Sequence, residues 1–251
     1  MRRLQSVLLL VCLAAVPGRA DTLKLVTDPW CPFACQPDSD RPGYMIELAR
    51  AVFEPLGHKV DYEVQPFARA EQSVASGQAS GFVGVLRLPK RASWFFPAEP
   101  QGEARVCFYT KAGASWSYDG IASLVGQRIG TVHAYNYGDE VEAALKQSGA
   151  RLDPVAGEDA LRLNLDKLRA ERITALVEYE PVLDWTLRLP GSQRPRQAGC
   201  AARADTLYIA FSPKDPKSAD YARQLSDGVA AMRRDGRLRT LLARYGLKDW
   251  R

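Results

Sequence analysis

Apolar and polar positions alternate over residues 23–27, a period of two that predicts a strand. The run Asp28-Pro29-Trp30-Cys31-Pro32 then forces a loop, because each proline fixes its own backbone and removes a hydrogen-bond donor. After Gly43, the residues Ile46, Leu48, Val52, Phe53 and Leu56 approximate one apolar stripe of a helix over 44–56, which Gly57 stops. A second alternating strand over 59–64, a helix from Pro66 through 74 and an apolar strand over 82–86 complete a strand-helix-strand-helix-strand run. The pattern restarts with a strand over 106–109. Strands over 127–132, 152–155 and 173–177 follow, separated by helices over 138–147 and 159–170. A helix over 182–187 and a strand over 207–211 come next, then two helices over 218–234 and 236–245 with no strand of their own. Such alternation predicts an α/β fold of two units, each a mostly parallel sheet flanked by helices. The last two helices must pack on one of those units.

The residues before the first strand change the picture of where the chain works. Met1, Arg2 and Arg3, an apolar stretch over 8–16, and Gly18 and Ala20 ahead of Asp21 form the three parts of a secretory leader, with cleavage expected after Ala20. The stretch is too short for a bilayer, which takes about 20 apolar residues. A soluble periplasmic monomer is therefore expected. Losing Arg2, Arg3 and Arg19 takes the formal charge from +5 to +2. That argues against a nucleic-acid partner, since the remaining Arg233 to Arg244 cluster reads as a solvated helix face with Asp235 and spaced leucines. With 46% hydrophobic residues the chain can bury a core. Once Cys12 leaves with the leader, Cys31, Cys35, Cys107 and Cys200 remain, an even set in an oxidising compartment. Cys31 and Cys35 are expected to pair. The sequence leaves the pairing of Cys107 with Cys200 open. His133 has no second His or carboxylate at metal spacing, so neither a metal nor a cofactor is expected.

Several motifs, in this order and spacing, resemble the family 3 periplasmic solute-binding proteins that serve amino-acid ABC transporters. They are Trp30-Cys31-Pro32-Phe33, Pro42-Gly43-Tyr44, the segment 84–91 ending Pro89-Lys90-Arg91, Ile129-Gly130-Thr131-Val132 with Tyr135 to Gly138, the strand 172–180, and Asp235-Gly236 through Tyr245-Gly246. The closer likeness is to a subgroup with a Trp-Cys-Pro-aromatic start and the run Pro66-Phe67-Ala68-Arg69-Ala70. The resemblance implies the two-lobed, class II type of periplasmic-binding-protein fold. Its first lobe would comprise residues 21–103 and 211–251 and its second 104–210, with a small solute held between them.

It also implies a site. Trp30 would stack on the solute, with Phe67 as a second wall and Gly84 and Arg69 near the same cleft. Arg91 matches the family's carboxylate-gripping arginine, whose planar guanidinium donates two parallel bonds. From the second lobe, Tyr135 and Tyr137 would offer hydroxyls, with Asn136 capping a helix that favours an anion. Tyr179 stands where the family's Asp takes an α-ammonium, and Glu178 fills that role if the register slips by one. Leu86 and Leu88 replace the family's hydroxyls. These departures put a standard α-amino acid in doubt and leave three readings: a binder delivering a small polar or amphipathic, carboxylate-bearing solute to an ABC permease or membrane sensor, a dehydratase- or lyase-like enzyme using Glu178, or an adaptor with a degenerate cleft.

Overall fold

The computed structural model describes residues 21–188 and 193–251. The expected leader, its cleavage site and Cys12 lie outside the described residues. The first lobe opens with β1 (Thr22–Thr27), α1 (Tyr44–Phe53), β2 (Lys59–Val64), α2 (Phe67–Ser76), β3 (Gly81–Val85) and β4 (Gly102–Ala104). The chain then builds β5 (Val106–Thr110), α3 (Ile121–Leu124), β6 (Arg128–Val132), α4 (Gly138–Ser148), β7 (Arg151–Val155), α5 (Ala160–Arg169), β8 (Ala175–Tyr179), α6 (Glu180–Thr186) and β9 (Arg196–Cys200). It returns through β10 (Asp205–Phe211) and ends in α7 (Ser218–Arg234) and α8 (Arg237–Arg244).

Two five-stranded sheets result, ordered β2-β1-β3-β10-β4 and β7-β6-β8-β5-β9. In each, three parallel strands are followed by an antiparallel one, β10 against β3 and β4, and β5 against β8 and β9. The chain crosses between the sheets twice, at Arg105 and again between Cys200 and Asp205. The expected division placed 104–210 in the second lobe. Strand β10 instead hydrogen-bonds antiparallel to β3 and β4 in the first sheet, and sheet membership follows that pairing.

The core follows the patterns read from the sequence. Leu23 and Leu25 of β1 pack on Ile46, Leu48, Ala49 and Phe53 of α1, all fully buried. Helix α1 begins at Gly43 because the Trp30–Cys35 loop passes directly against that backbone. A Cβ there would lie 2.4 Å from Ala34 Cα, and its φ of +108° suits only glycine. Both α7 and α8 pack on α1, so the strandless C-terminal helices belong to the first lobe. Their buried Leu225, Val229, Leu238 and Leu242 face it at helical spacing. No described helix is long and apolar enough to cross a membrane.

Candidate functional site

The C-terminal ends of the parallel strands in both sheets point at the interlobe cleft, where open α/β sheets place their ligands. Asp28 and Trp30 follow β1, Phe67 opens α2 and Gly84 sits in β3. From the second lobe, Tyr135, Asn136 and Tyr137 connect β6 to α4, and Glu178 and Tyr179 end β8. Both expected ligand segments therefore meet, with Asp28 as an addition that the sequence reading passed over as a loop residue.

Trp30 is the centre of this arrangement. Its ring stacks on Phe33 at 4.3 Å and meets Tyr179 edge-on at 5.1 Å across the cleft. It lies flat on Gly84, where a Cβ would approach its ring carbons to 2.9 Å and φ is +78°. The Cys31–Cys35 disulfide, with sulfurs 2.19 Å apart, ties down the loop behind it. Trp30 and Ala34 also exchange backbone hydrogen bonds, 2.6 and 3.1 Å long. Cys107 and Cys200 are cross-strand partners on β5 and β9, with sulfurs 2.08 Å apart, which answers the open pairing question.

Trp30 and Tyr135 divide the cleft into two spaces. On one side, Thr27, Phe67, Gly84, Leu86 and Arg91 enclose only about 30 Å³, room for a single water. On the other, a cavity of about 660 Å³ runs from Asp28, Trp30, Tyr135 and Glu178 past Val182 to Trp185. That size is ordinary for a small-molecule site.

Arg91 lines the small space but faces away from an anion. It is 2% exposed, and its Nε and Nη2 contact Glu71 Oε1 at 2.8 and 2.6 Å while Nη1 donates to the Leu86 carbonyl at 3.0 Å. The guanidinium also sits over Phe67, Phe82 and Trp94, 5.7–5.9 Å from their centroids. Burial works to raise the Glu71 carboxyl, but Lys90 and Arg91 outweigh it and hold it below the usual range. The carboxylate grip expected of Arg91 is thus occupied by its own lobe. Arg69 is exposed on α2 and lines neither space.

The second lobe contributes hydroxyls already bonded. Tyr135 donates to Asp28 across the cleft. Tyr137 is buried, and its oxygen accepts the Val132 N–H at 2.7 Å. Tyr179 donates to Asp205 Oδ2 at 2.9 Å. Asn136 Oδ1 accepts the N–H of Gly138, the first residue of α4, at 3.0 Å, near the capping role expected of it.

Two carboxyls carry the electrostatics. Burial pushes Asp28 up to about 6, against the Tyr135 hydroxyl, its own backbone and Thr27. Burial pushes Glu178 up to about 8. The Tyr179 N–H, which donates to Oε1 at 2.8 Å, and the nearby Trp30 indole oppose this, and the Asp28 charge adds to it. The Trp30 N–H is directed at this region without completing a hydrogen bond. Burial also raises Asp205 behind Tyr179. Among the described residues, no group of His, Cys, Asp and Glu is arranged to hold a metal ion.

Two α/β lobes joined by a pair of strand crossings, with aromatic and ionisable residues from both facing one cleft, define a two-lobed periplasmic-binding-protein fold. Residues 23–248 match the bacterial extracellular solute-binding proteins, family 3, and the chain belongs to that family. Among solved structures, a putative L-cystine ABC transporter protein from Listeria monocytogenes superposes with a TM-score of 0.77 at 15% identity, over 92% of this chain and 99% of that one. A histidine kinase sensor domain with similarity to periplasmic binding proteins gives 0.75 at 18%, over 93% and 99%. An ancestral arginine-binding protein bound to arginine gives 0.75 at 19%, over 89% and 97%. No curated protein matches the sequence.

Proposed function

We propose that this chain is exported to the periplasm, loses its first 20 residues, and as a monomer captures a small polar or amphipathic solute between its lobes for an ABC permease or a membrane sensor. The observation that carries this reading is the cavity of about 660 Å³ to which one lobe gives Asp28 and Trp30 and the other Tyr135 and Glu178. Structural relatives named as a transporter protein and as a kinase sensor domain support both destinations. An enzymatic reading is favoured by one feature of the site, a Glu178 carboxyl raised to about 8, which would stay protonated at neutral pH and could serve as a general acid.

A screen of amino acids, amines, organic acids and short peptides tests the binding reading. A solute at about 100 times its dissociation constant stabilises the fold by roughly 2.7 kcal/mol. For a chain of this length that is about 5–10 °C in Tm. A true ligand should also change Trp30 fluorescence and shift the radius of gyration in solution scattering. Consumption of the ligand with release of product would instead favour the enzyme. Absence of any hit, with Trp30→Ala leaving every partner interaction intact, would remove the binding reading.

A further inference from the structure

The lining of the larger cavity bears on which solute it takes. Its inner end is acidic. Glu178 is 1% exposed, its Oε1 accepts the Tyr179 N–H, and among the described residues no hydrogen bond reaches its Oε2. Asp28 stands opposite, from the other lobe, with the Tyr135 hydroxyl as its donor. Among the described residues, no cation pairs with either carboxyl. Those at the mouth are exposed or engaged elsewhere. Arg41 is exposed, Arg162 pairs with Asp159 at 3.0 Å, and Arg188 donates to the Tyr245 carbonyl at 3.1 Å. Arg91, the guanidinium that would receive a carboxylate, lies in the separate small space and is neutralised by Glu71.

Three aromatic residues line the cavity. Trp30 is 6% exposed with its indole N–H unpaired, and Tyr135 and Trp185 also line the cavity. Ring faces carry negative potential and attract cations. The Trp185 ring already holds a cation of the chain itself, the Arg188 guanidinium 4.7 Å from its centroid, and stacks on Tyr245, which leaves Trp30 and Tyr135 to face the solute. An anion reaching the inner end of this cavity, past the arginines at its mouth, would meet two acids that no described cation pairs with. A cation would satisfy both, and would offset the burial that makes their ionisation costly.

Resting on the solute-binding reading above, we propose that this cavity takes an organic cation without a carboxylate, held between Asp28 and Glu178 with its apolar part against Trp30 and Tyr135. Primary amines, guanidines and quaternary ammonium compounds are the classes with this chemistry.

The test is calorimetric titration of the full mature chain with matched probes. Phenethylamine, agmatine and choline carry the cation alone. L-phenylalanine and L-arginine add a carboxylate to the first two, and 3-phenylpropionate replaces the amine with one. At least one amine probe should bind about tenfold or more tightly than its carboxylate-bearing counterpart. Glu178→Gln and Asp28→Asn should each weaken that binding by about tenfold or more, the effect of a lost charge-assisted bond, with unchanged circular dichroism. Both changes are isosteric, so one serves if the other fails to fold. Equal or tighter binding of the carboxylate-bearing probes, or amine binding that survives both substitutions, overturns the cation proposal and leaves the solute-binding reading standing. If no probe and no compound of the wider screen binds, both fall.

Discussion

Exchanging Glu178 for Gln should make the empty protein more stable, and increasingly so as pH rises. The side chain keeps its shape and can still accept the Tyr179 N–H, so only the charge is removed. In the folded chain burial holds this carboxyl at about 8, against an ordinary value of 4.5. A carboxyl raised by folding holds its proton in the native state after the unfolded chain has released it. Stability therefore falls as pH climbs from about 4.5 to about 8, and the loss is complete above that window. At about 1.36 kcal/mol per pH unit, the gap corresponds to about 5 kcal/mol. The advantage of the variant should thus be roughly 1 kcal/mol at pH 5 and approach 5 kcal/mol near pH 9. Asp28, raised to about 6, adds its own decline between about 4 and 6 to both proteins and largely cancels from the difference. The other groups facing Glu178 are the neutral hydroxyls of Tyr109, Tyr135, Tyr137 and Tyr179. Arg41, Arg162 and Arg188 stand further out at the mouth. Urea unfolding from pH 5 to pH 9 reads the effect directly. Two stability curves that run parallel within about 1 kcal/mol would show that Glu178 ionises freely in the folded chain, and the electrostatic description of the cleft would have to be abandoned.

Arg91→Ala should cost about 3–5 kcal/mol by leaving Glu71 without its buried partner, and Glu71→Gln in the same chain should restore part of it; urea midpoints check both. If the single change leaves stability intact but abolishes binding of anions, Arg91 is a ligand residue after all. Replacing Cys107 and Cys200 together by Ser opens a link across 93 positions and should cost about 4–5 kcal/mol on the chain-entropy account. Replacing Cys31 and Cys35, only four positions apart, should cost far less but shift Trp30 fluorescence.

Most of the fold could be read from the chain because its strands and helices carry strong periodic patterns. Strands such as β1 and β8 alternate or run apolar, and helices such as α1 and α7 show one buried stripe. What escaped were elements whose existence depends on a neighbour. Strand β4 has three residues, and β9 reads Arg-Gln-Ala-Gly-Cys with no apolar period, so each is a strand only because β10 or β5 lies beside it. The assignment of β10 to a lobe failed for the same reason, since sheet membership is a property of pairing. At the site, the aromatic residues were legible from position after strands. Glu71 was not, because it meets Arg91 from 20 residues away on a different element. Asp28 was overlooked although its place at the end of β1, beside Trp30, was the one available signal.

The Cys107–Cys200 bridge sits within two residues of Arg105, where the chain first leaves one sheet for the other, and at the edge of the return passage that begins after Cys200. The two connecting strands are therefore clamped together at one end, like the paired leaves of a door hinge riveted to the same plate. If the lobes close on a solute as proposed, such a joint would swing but resist torsion, bringing them together along nearly one angular coordinate. Aromatic rings on opposite faces can then meet in the same alignment on every closure, without a search over relative twist. Cutting the rivet by the double Cys→Ser exchange should broaden the distribution of lobe orientations seen in solution scattering, and an unaltered distribution would mean that the hydrogen bonds between β5 and β9 suffice to hold the passages together.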